Sequence, residues 1–496
     1  MRLAAALLLA GALGAQAETL RVGSKRFTES YVLGEVLVQA ARRAGAQAEH
    51  RQGLGNTGIV YAALKAGEID LYPEYTGTIA REVLKLEGNP ALAEIDRRLA
   101  AEGLGVAVPL GFNNSYALAL GEEHAAKLGI RRLSDLARHP DLRLGLSQEF
   151  LGRADGWPGL KAAYALPFGA PQGLDHGLAY EAIAARRIDV MDIYTTDAKI
   201  ERYALRALED DRKYFPRYDA VLLYRRDVAK RFPAAWQQIR KLEGRIDEAR
   251  MIRMNAAAEL HGRSFTEAAA LLEGGAGRPG APRSFWGTLF GPDFLRLTGQ
   301  HLVLVFASLA ASVALGVPLG VAAAKQRWLA QPILGVVGVI QTIPSLALFA
   351  FLIALLGTIG TVPALIALFL YALLPIVRNT HAGLEGIGLG MRQAALALGL
   401  SARERLARIE LPLAAPSILA GVKTSAVINV GTATIAAFIG AGGYGERIVA
   451  GLALNDNVVL LAGAVPAAAL ALLVQGAFEL GERRFGWMRR ARARSA

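Results

Sequence analysis

Hydrophobic positions follow two different rules along this chain, and the rule changes near residue 295. Before that point short apolar runs alternate with charged ones; after it, apolar residues continue for tens of positions. In the first region the pattern predicts alternating strands and helices. TLRVGSKRF reads as a strand entering a loop, and TESYVLGEVLVQAARRAG sets apolar residues at helical spacing and ends on Gly45. AQAEHRQGLG reads as a second strand, NTGIVYAALKAGEI as a helix capped by Asn56 or Thr57, and IDLYPEYTG as a third strand. This βαβαβ order predicts parallel sheets with ligand contacts at the carboxyl ends of the strands. LRLGLSQEF and IDVMDIYTT read as strands of a second such unit, so two α/β lobes with a cleft between them are expected. The Gly- and Pro-rich stretch EGGAGRPGAPRS then reads as a linker.

In the second region, residues 302–324 and 328–377 contain no Asp, Glu, Lys or Arg. At ~20 residues per crossing the longer run must fold back once, and GTIGTVP at 357–363 is the expected turn. Residues 413–440 carry the single charge Lys423, and 457–481 complete a set of five spans. The first 17 residues, MRLAAALLLAGALGAQA, read as a secretory signal cleaved after Ala17, or as an uncleaved anchor. A start outside the cell places every basic loop on the cytoplasmic side. Lys423 then lies near the inner end of its helix, where its amine can reach the headgroups. The expected domains are 1–17 (signal), 18–272 (soluble), 273–294 (linker), 295–482 (membrane) and 483–496 (basic tail).

Composition narrows the chemistry. Hydrophobic residues make up 53% of the chain and charged ones 20%, which suits a soluble part joined to a membrane part. Absence of cysteine excludes disulfides, thiolate metal sites and thiol nucleophiles. The net charge of +12 is traced to arginines beside membrane helices rather than to nucleic-acid binding. The tail Arg483–Arg494 follows a hydrophobic segment and interleaves only Phe485 and Trp487. The seven histidines are scattered, and no nucleophile–His–acid, metal-binding or paired-carboxylate motif points to an enzyme or a metal site. No phosphate-binding Gly-x-x-x-x-Gly-Lys-Ser/Thr loop occurs, so any ATP hydrolysis belongs to a separate protein.

Two places carry specific signals. In MRQAALALGLSARERLARIELP, residues 391–412, the first eight residues predict a helix ending on a left-handed Gly399. Ser401 caps a second helix, Glu404 completes a capping box, and Pro412 is expected to stop it. Leu406 and Ile409 share one side, arginines the other, as suits a knob docking in a partner's groove or a pair of helices resting on the membrane. The other signal is aromatic: twelve of the 14 tyrosines lie between residues 18 and 272. Tyr75 (PEYTGT) and Tyr194 (DIYTTD) fall at predicted strand ends, Tyr116 lies in FNNSYAL and Tyr218 in PRYDAV, and each reads as lobe packing or as a ligand contact. Lys25 and Arg26 read as solvated surface charges or as partners of a ligand carboxylate, and Asp197, which with Asp192 flanks Tyr194, as a cap or hinge contact.

Gln393-Ala394-Ala395, then Gly399, then Ile409-Glu410-Leu411-Pro412 resemble the coupling loop of ABC-importer permeases, with Gln393 where that family usually has an acidic residue. The resemblance implies that Gln393, Ala394, Ala395, Gly399, Ile409, Leu411 and Pro412 belong to a loop inserted into an ATP-hydrolysing subunit. IQTIPSLALFAFLIALLG, LYALLPIVRNTHAGL and AVINVGTATIAAFIGAGGYGERIVAGLALND are similar to permeases of the osmoprotectant subgroup, which carry glycine betaine, choline and carnitine. KRFTES, GLGNTGIVYAALKAGEIDLYPEYTGT, NNSYAL and GLAYEAIAARRIDVMDIYTTDAKI resemble the substrate-binding proteins of the same systems. That likeness implies an α/β, two-lobed type II periplasmic-binding fold followed by an all-α type I ABC-importer transmembrane domain of five helices. It also implies that Tyr75, Tyr116, Tyr194 and Tyr218 cage a quaternary ammonium and that Thr78 helps hold a ligand carboxylate. Ser30 stands where relatives often carry Gln and bears on the polar end of the pocket.

The implied protein is the receptor and pore of an ATP-driven importer in a bacterial inner membrane, with its binding domain outside. Two copies would form one pore with two copies of an ABC ATPase; the chain itself would bind no cofactor, ATP being used by the partner. Ergothioneine, which shares the trimethylammonium head, is the alternative solute. A solute-binding receptor or ligand-gated channel is the alternative of a different class, opposed by the docking loop and the short tail.

Overall fold

The computed structural model describes residues 18–274, 284–454 and 456–494, so the predicted signal at 1–17 and the middle of the predicted linker lie outside the described residues. The chain divides near residue 281 into two compact units. In the first, β1 (Leu20–Gly23), β2 (Ala48–Arg51) and β3 (Leu71–Tyr75) alternate with α1 (Thr28–Arg43) and α2 (Thr57–Lys65). Asn56 caps α2 by accepting the Ile59 N–H at 3.3 Å. With β4 (Leu104–Ala107) and β10 (Ala220–Arg225) these strands form a five-stranded sheet of order β2-β1-β3-β10-β4. β1 is parallel to β2 and β3, as the alternation predicts. β10 returns from the far end of the unit and runs antiparallel to both β3 and β4, which corrects the all-parallel expectation.

The second lobe holds β5 (Tyr116–Gly121), β6 (Gly145–Ser147), β7 (Gln172–Leu174), β8 (Met191–Tyr194) and β9 (Leu205–Ala207). β6 and β7 pair in parallel, but β5 is antiparallel to β8 and β9, a second departure from the parallel reading. The cause is chain direction: β5 and β10 follow directly on crossings between the lobes, so no crossover helix sets their sense. Helix α3 (His176–Ala184) packs its Tyr180 and Ile183 against β5 and β8 in an apolar core with Met191 and Ile193. Helix α4 (Glu248–Glu259) belongs to the return through the first lobe. Segments near 111–115 and 210–219 carry the chain from lobe to lobe, joined by a bridge between Asn113 and Asp219.

The second unit is helical. Of the residues read as linker, Phe285–Leu289 form a short helix, and α5 (Phe294–Lys325) starts within the same stretch. It continues with α6 (Arg327–Thr342), α7 (Ser345–Leu356), α8 (Thr361–Glu385), α9 (Leu389–Ala397), α10 (Ala402–Arg405), α11 (Leu411–Ile435), α12 (Gly445–Leu454) and α13 (Asn457–Arg494). Four helical stretches, 294–325, 361–385, 402–439 and 457–481, are each long and apolar enough to cross a membrane. The expected fifth span is α6 and α7 together, which meet at 102° instead of forming one rod. Pro344 supplies the break: it cannot donate a helical N–H, and Ile343 before it is extended. The Tyr371 hydroxyl donates to the Ile343 carbonyl that the break leaves open.

Small residues let α5, α8 and α11 approach closely, since a Cβ on Gly320 would lie 2.5 Å from Thr380. Two buried polar bonds cross the same helices: Asn429 Nδ2 donates to Ser308 Oγ at 2.9 Å and Ser425 Oγ to the Ala372 carbonyl at 2.7 Å. Lys423, expected to reach toward headgroups, faces Glu479 of α13 at 3.8 Å.

Candidate functional site

Four tyrosines singled out by their context meet at the mouth of the two lobes. Tyr75 ends β3, Tyr194 ends β8, Tyr116 begins β5 and Tyr218 precedes β10. Antiparallel pairing sets Tyr116 directly opposite Tyr194, with ring centroids 5.1 Å apart. The Tyr218 ring stands edge-on to Tyr116 at 5.7 Å. All four, with Thr78, line one enclosed cavity together with Lys25, Phe27, Asn114 and Glu149. Its volume is about 20 Å³, about the room one water needs, so a larger guest enters only if the lobes part. Ser30 does not join this lining: it is buried, and its hydroxyl accepts the Lys25 backbone N–H at 2.8 Å.

Each ring is held from behind. The Tyr218 hydroxyl donates to Asp155 at 2.7 Å, and Arg153 pairs with the same aspartate at 2.6 Å while standing 5.4 Å from the Tyr116 ring. Gly77 makes room for Tyr218, since a Cβ there would lie 2.7 Å from the ring and 2.8 Å from the Arg217 carbonyl. Tyr194 rests on Phe27 at 5.3 Å and on His176 at 4.5 Å. Asp197 accepts from His176 Nε2 at 2.8 Å, from the Tyr180 hydroxyl at 2.7 Å and from the Tyr194 N–H at 3.0 Å. It therefore ties the turn after β8 to the ring behind Tyr194. The Tyr75 hydroxyl donates to Glu29 at 2.6 Å.

Burial and charge set the protonation states. Burial lifts the Tyr75, Tyr116 and Tyr194 phenols well above their ordinary range, so they remain neutral donors. For His176, burial acts downward, but Asp197 and Asp192 outweigh it and carry the imidazole to about 10. Glu74 is pushed up by burial, against the pull of Lys25 at 2.6 Å. Lys25 is thus a buried member of the site, 5.1 Å from the Tyr75 ring, which corrects its reading as solvated surface charge.

Phe27, Asn114, Glu149 and the supports Glu29, Arg153, Asp155 and His176 were not singled out in the sequence. Phe27 and Glu29 had a signal, standing in KRFTES, and Asn114 stands in NNSYAL, both among the stretches that carry the family likeness. Glu149, Arg153, Asp155 and His176 had none, because a lone charged residue in a loop or at a helix start reads as solvent-facing.

In the second unit, the stretch with Gln393, Ala394 and Ala395 forms α9, Gly399 adopts a left-handed φ of 70°, and Ser401 and Glu404 cap each other reciprocally. Pro412 does not end the following helix. Residues Leu406–Glu410, which include Ile409, form a wide π turn, Leu411 donates back to the Leu406 carbonyl, and the helix runs on through Leu411 and Pro412 to Ile435. The widened turn absorbs both the missing N–H and the bulk of the proline ring. Glu410, buried at the base of this turn, pairs with Lys325 at the end of α5. Leu389, Met391, Leu396 and Leu398 expose apolar side chains along the loop.

Residues 18–271 match the model of the substrate-binding domain of ABC-type glycine betaine transport systems. Residues 316–487 match that of the inner membrane component of binding-protein-dependent transport systems. A glycine-betaine-binding protein of Pseudomonas aeruginosa is 35% identical over 274 residues, 52% of this chain and 88% of that one. The osmoprotectant import permease protein OsmW of Salmonella typhimurium is 43% identical over 182 residues, 36% of this chain and 85% of that one. An ergothioneine transport permease/ergothioneine binding protein of Helicobacter pylori is 34% identical over 267 residues, 52% of this chain; the match spans 48% of that relative, about half its length.

Proposed function

Because the chain belongs to the family of substrate-binding domains of ABC-type glycine betaine transport systems and continues into an inner-membrane transport component, we propose that it is the receptor and pore subunit of an ATP-driven importer of trimethylammonium solutes. The observation that carries this reading is the ring cluster of Tyr75, Tyr116, Tyr194 and Tyr218 at the meeting of two lobes. A quaternary ammonium has no N–H to donate, so directional acceptors gain little from it. Ring faces attract it through their quadrupoles at roughly 0.5–2 kcal/mol per contact. Rings drawn from both lobes reward closure, because the cation gains its full set of contacts only when the lobes meet. Lys25 and Thr78 stand at the same cavity and suit the carboxylate of glycine betaine or carnitine.

An importer permease works with an ATPase, and the loop at 391–412 is the surface we assign to it. Its exposed leucines suit an apolar groove, and the Lys325–Glu410 pair and the continuous helix beyond Pro412 tie its movement to α5 and α11. In this reading two copies of the chain form the pore, each docked on one ATPase copy, with the binding domain outside the cell. The lobes close on the solute and dock; ATP binding opens the pore outward, and hydrolysis resets it. Ergothioneine enters the same reading as an alternative solute, since it presents the same head and one relative is named for it.

The test is transport. In proteoliposomes holding this chain with its ATPase partner, trapped ATP is expected to drive accumulation of labelled glycine betaine or choline, with none in its absence. Accumulation that follows a sodium or proton gradient without ATP would sink the importer reading.

A further inference from the structure

Tyr75 differs from the other cage rings in what stands behind its hydroxyl. Glu29 is the second residue of α1, a place where an acid ordinarily faces solvent and complements the helix dipole. Here it is 3% exposed. Its Oε1 accepts from Tyr75 Oη at 2.6 Å and Asn114 Nδ2 at 2.9 Å; its Oε2 accepts from Thr196 Oγ1 at 2.5 Å and Asn255 Nδ2 at 3.0 Å. Both amides are oriented by other bonds. Asn114 Oδ1 takes the Thr196 N–H, and Asn255 Nδ2 also reaches the Thr196 carbonyl. Burial without a counter-charge pushes the Glu29 carboxyl up, while four neutral donors on its two oxygens favour the ionised form, so its negative charge is held at a cost that a nearby cation relieves.

The other carboxylates around the rings have cations: Glu74 has Lys25, Asp155 has Arg153 and Asp197 has His176. Among the described residues, Glu29 has no ion-pair partner. A buried anion without a counter-charge costs stability, and it lies one phenol away from a cavity walled by rings.

We propose that the missing counter-charge is the bound solute: Glu29 is a positioning residue that, through the hydroxyl of Tyr75, makes that ring face more negative and sets the preference for a cationic head over a neutral one of the same shape. This rests on the quaternary ammonium reading. A phenol donating to a carboxylate gains electron density in its ring, and ring density is what a cation over the face responds to. Shape recognition by the same rings is indifferent to the charge of Glu29.

The test uses the full chain in detergent and two matched pairs of ligands, read by calorimetric competition. One pair is glycine betaine and tert-butylacetate; the other is choline and its tert-butyl analogue, in each case a carbon replacing the ammonium nitrogen. Glu29→Gln is expected to weaken cation binding about tenfold, some 1.4 kcal/mol, and the carbon isosteres less than about twofold. Tyr75→Phe is expected to narrow the same ratio, and the double variant to narrow it no further than Glu29→Gln alone. Equal weakening of cation and isostere would assign Glu29 a merely structural clasp between the lobes and overturn the inference. Should Glu29→Gln fail to fold, Tyr75→Phe decides by the same ratio. A native chain that binds none of glycine betaine, choline, carnitine and ergothioneine overturns the quaternary ammonium reading and this inference with it; native binding with an unchanged ratio in the variants overturns the inference alone.

Discussion

At the scale of single residues, the site depends on acids that never reach the cavity. Asp197 shows how: it holds His176, and His176 backs the Tyr194 ring. The folded imidazole titrates near 10, above the ordinary value near 6.5. Its contribution to stability is therefore complete below about pH 6.5 and is lost as pH rises toward about 10. Thermal unfolding of the full chain is expected to show a falling midpoint over that window, and Asp197→Asn to flatten that part of the slope. A slope identical in the variant would separate His176 from Asp197. Tyr75 and Tyr194 were legible in the sequence as aromatics at predicted strand ends, whereas Tyr116 and Tyr218 were placed in the cage through the family resemblance. Asp155 was not legible, because its partners Arg153 and Tyr218 give it no pattern along the chain, and the burial of Lys25 beside Glu74 decides between the two readings its sequence left open.

At the scale of elements, local signals were read well where the cause was local. Gly399 and the Ser401–Glu404 box form as their spacing predicts. Pro412 misled for a geometric reason: the rule that proline stops a helix assumes an α turn before it, and a π turn removes the clash. The bent pair at Pro344 was equally hidden, since an uninterrupted apolar run does not reveal its angle. The left-handed backbone at Gly399 gives a clean way to test the loop. Gly399→Val places a β-branched residue at a φ of 70°, a cost of at least ~1–2 kcal/mol. Solute affinity is expected to stay within about twofold, while uptake with the ATPase falls about tenfold, the equivalent of 1.4 kcal/mol. Normal uptake in a folded variant would remove the loop from the coupling path.

At the scale of the whole molecule, one polypeptide joins a binding domain and a permease domain, each with its own core. The hydrophobic rule of the sequence changes near residue 295, and the two units divide near residue 281. The strand directions of β5 and β10 were not visible in the sequence, because they depend on where the chain crosses between lobes rather than on any stretch of residues. In the proposed importer, covalent fusion raises the effective concentration of the receptor at its pore, so capture need not wait for a diffusing partner. All of this rests on one claim, that the ring cluster takes a trimethylammonium head. The most direct measurement is calorimetry on the full chain in detergent with glycine betaine, choline, carnitine and ergothioneine, repeated with Tyr194→Ala. The expected result is micromolar binding of at least one of these solutes, about −8 kcal/mol, and its loss in the variant. Binding confined to solutes without a cationic head, or a Tyr194→Ala variant that binds as tightly as the native chain, would contradict it.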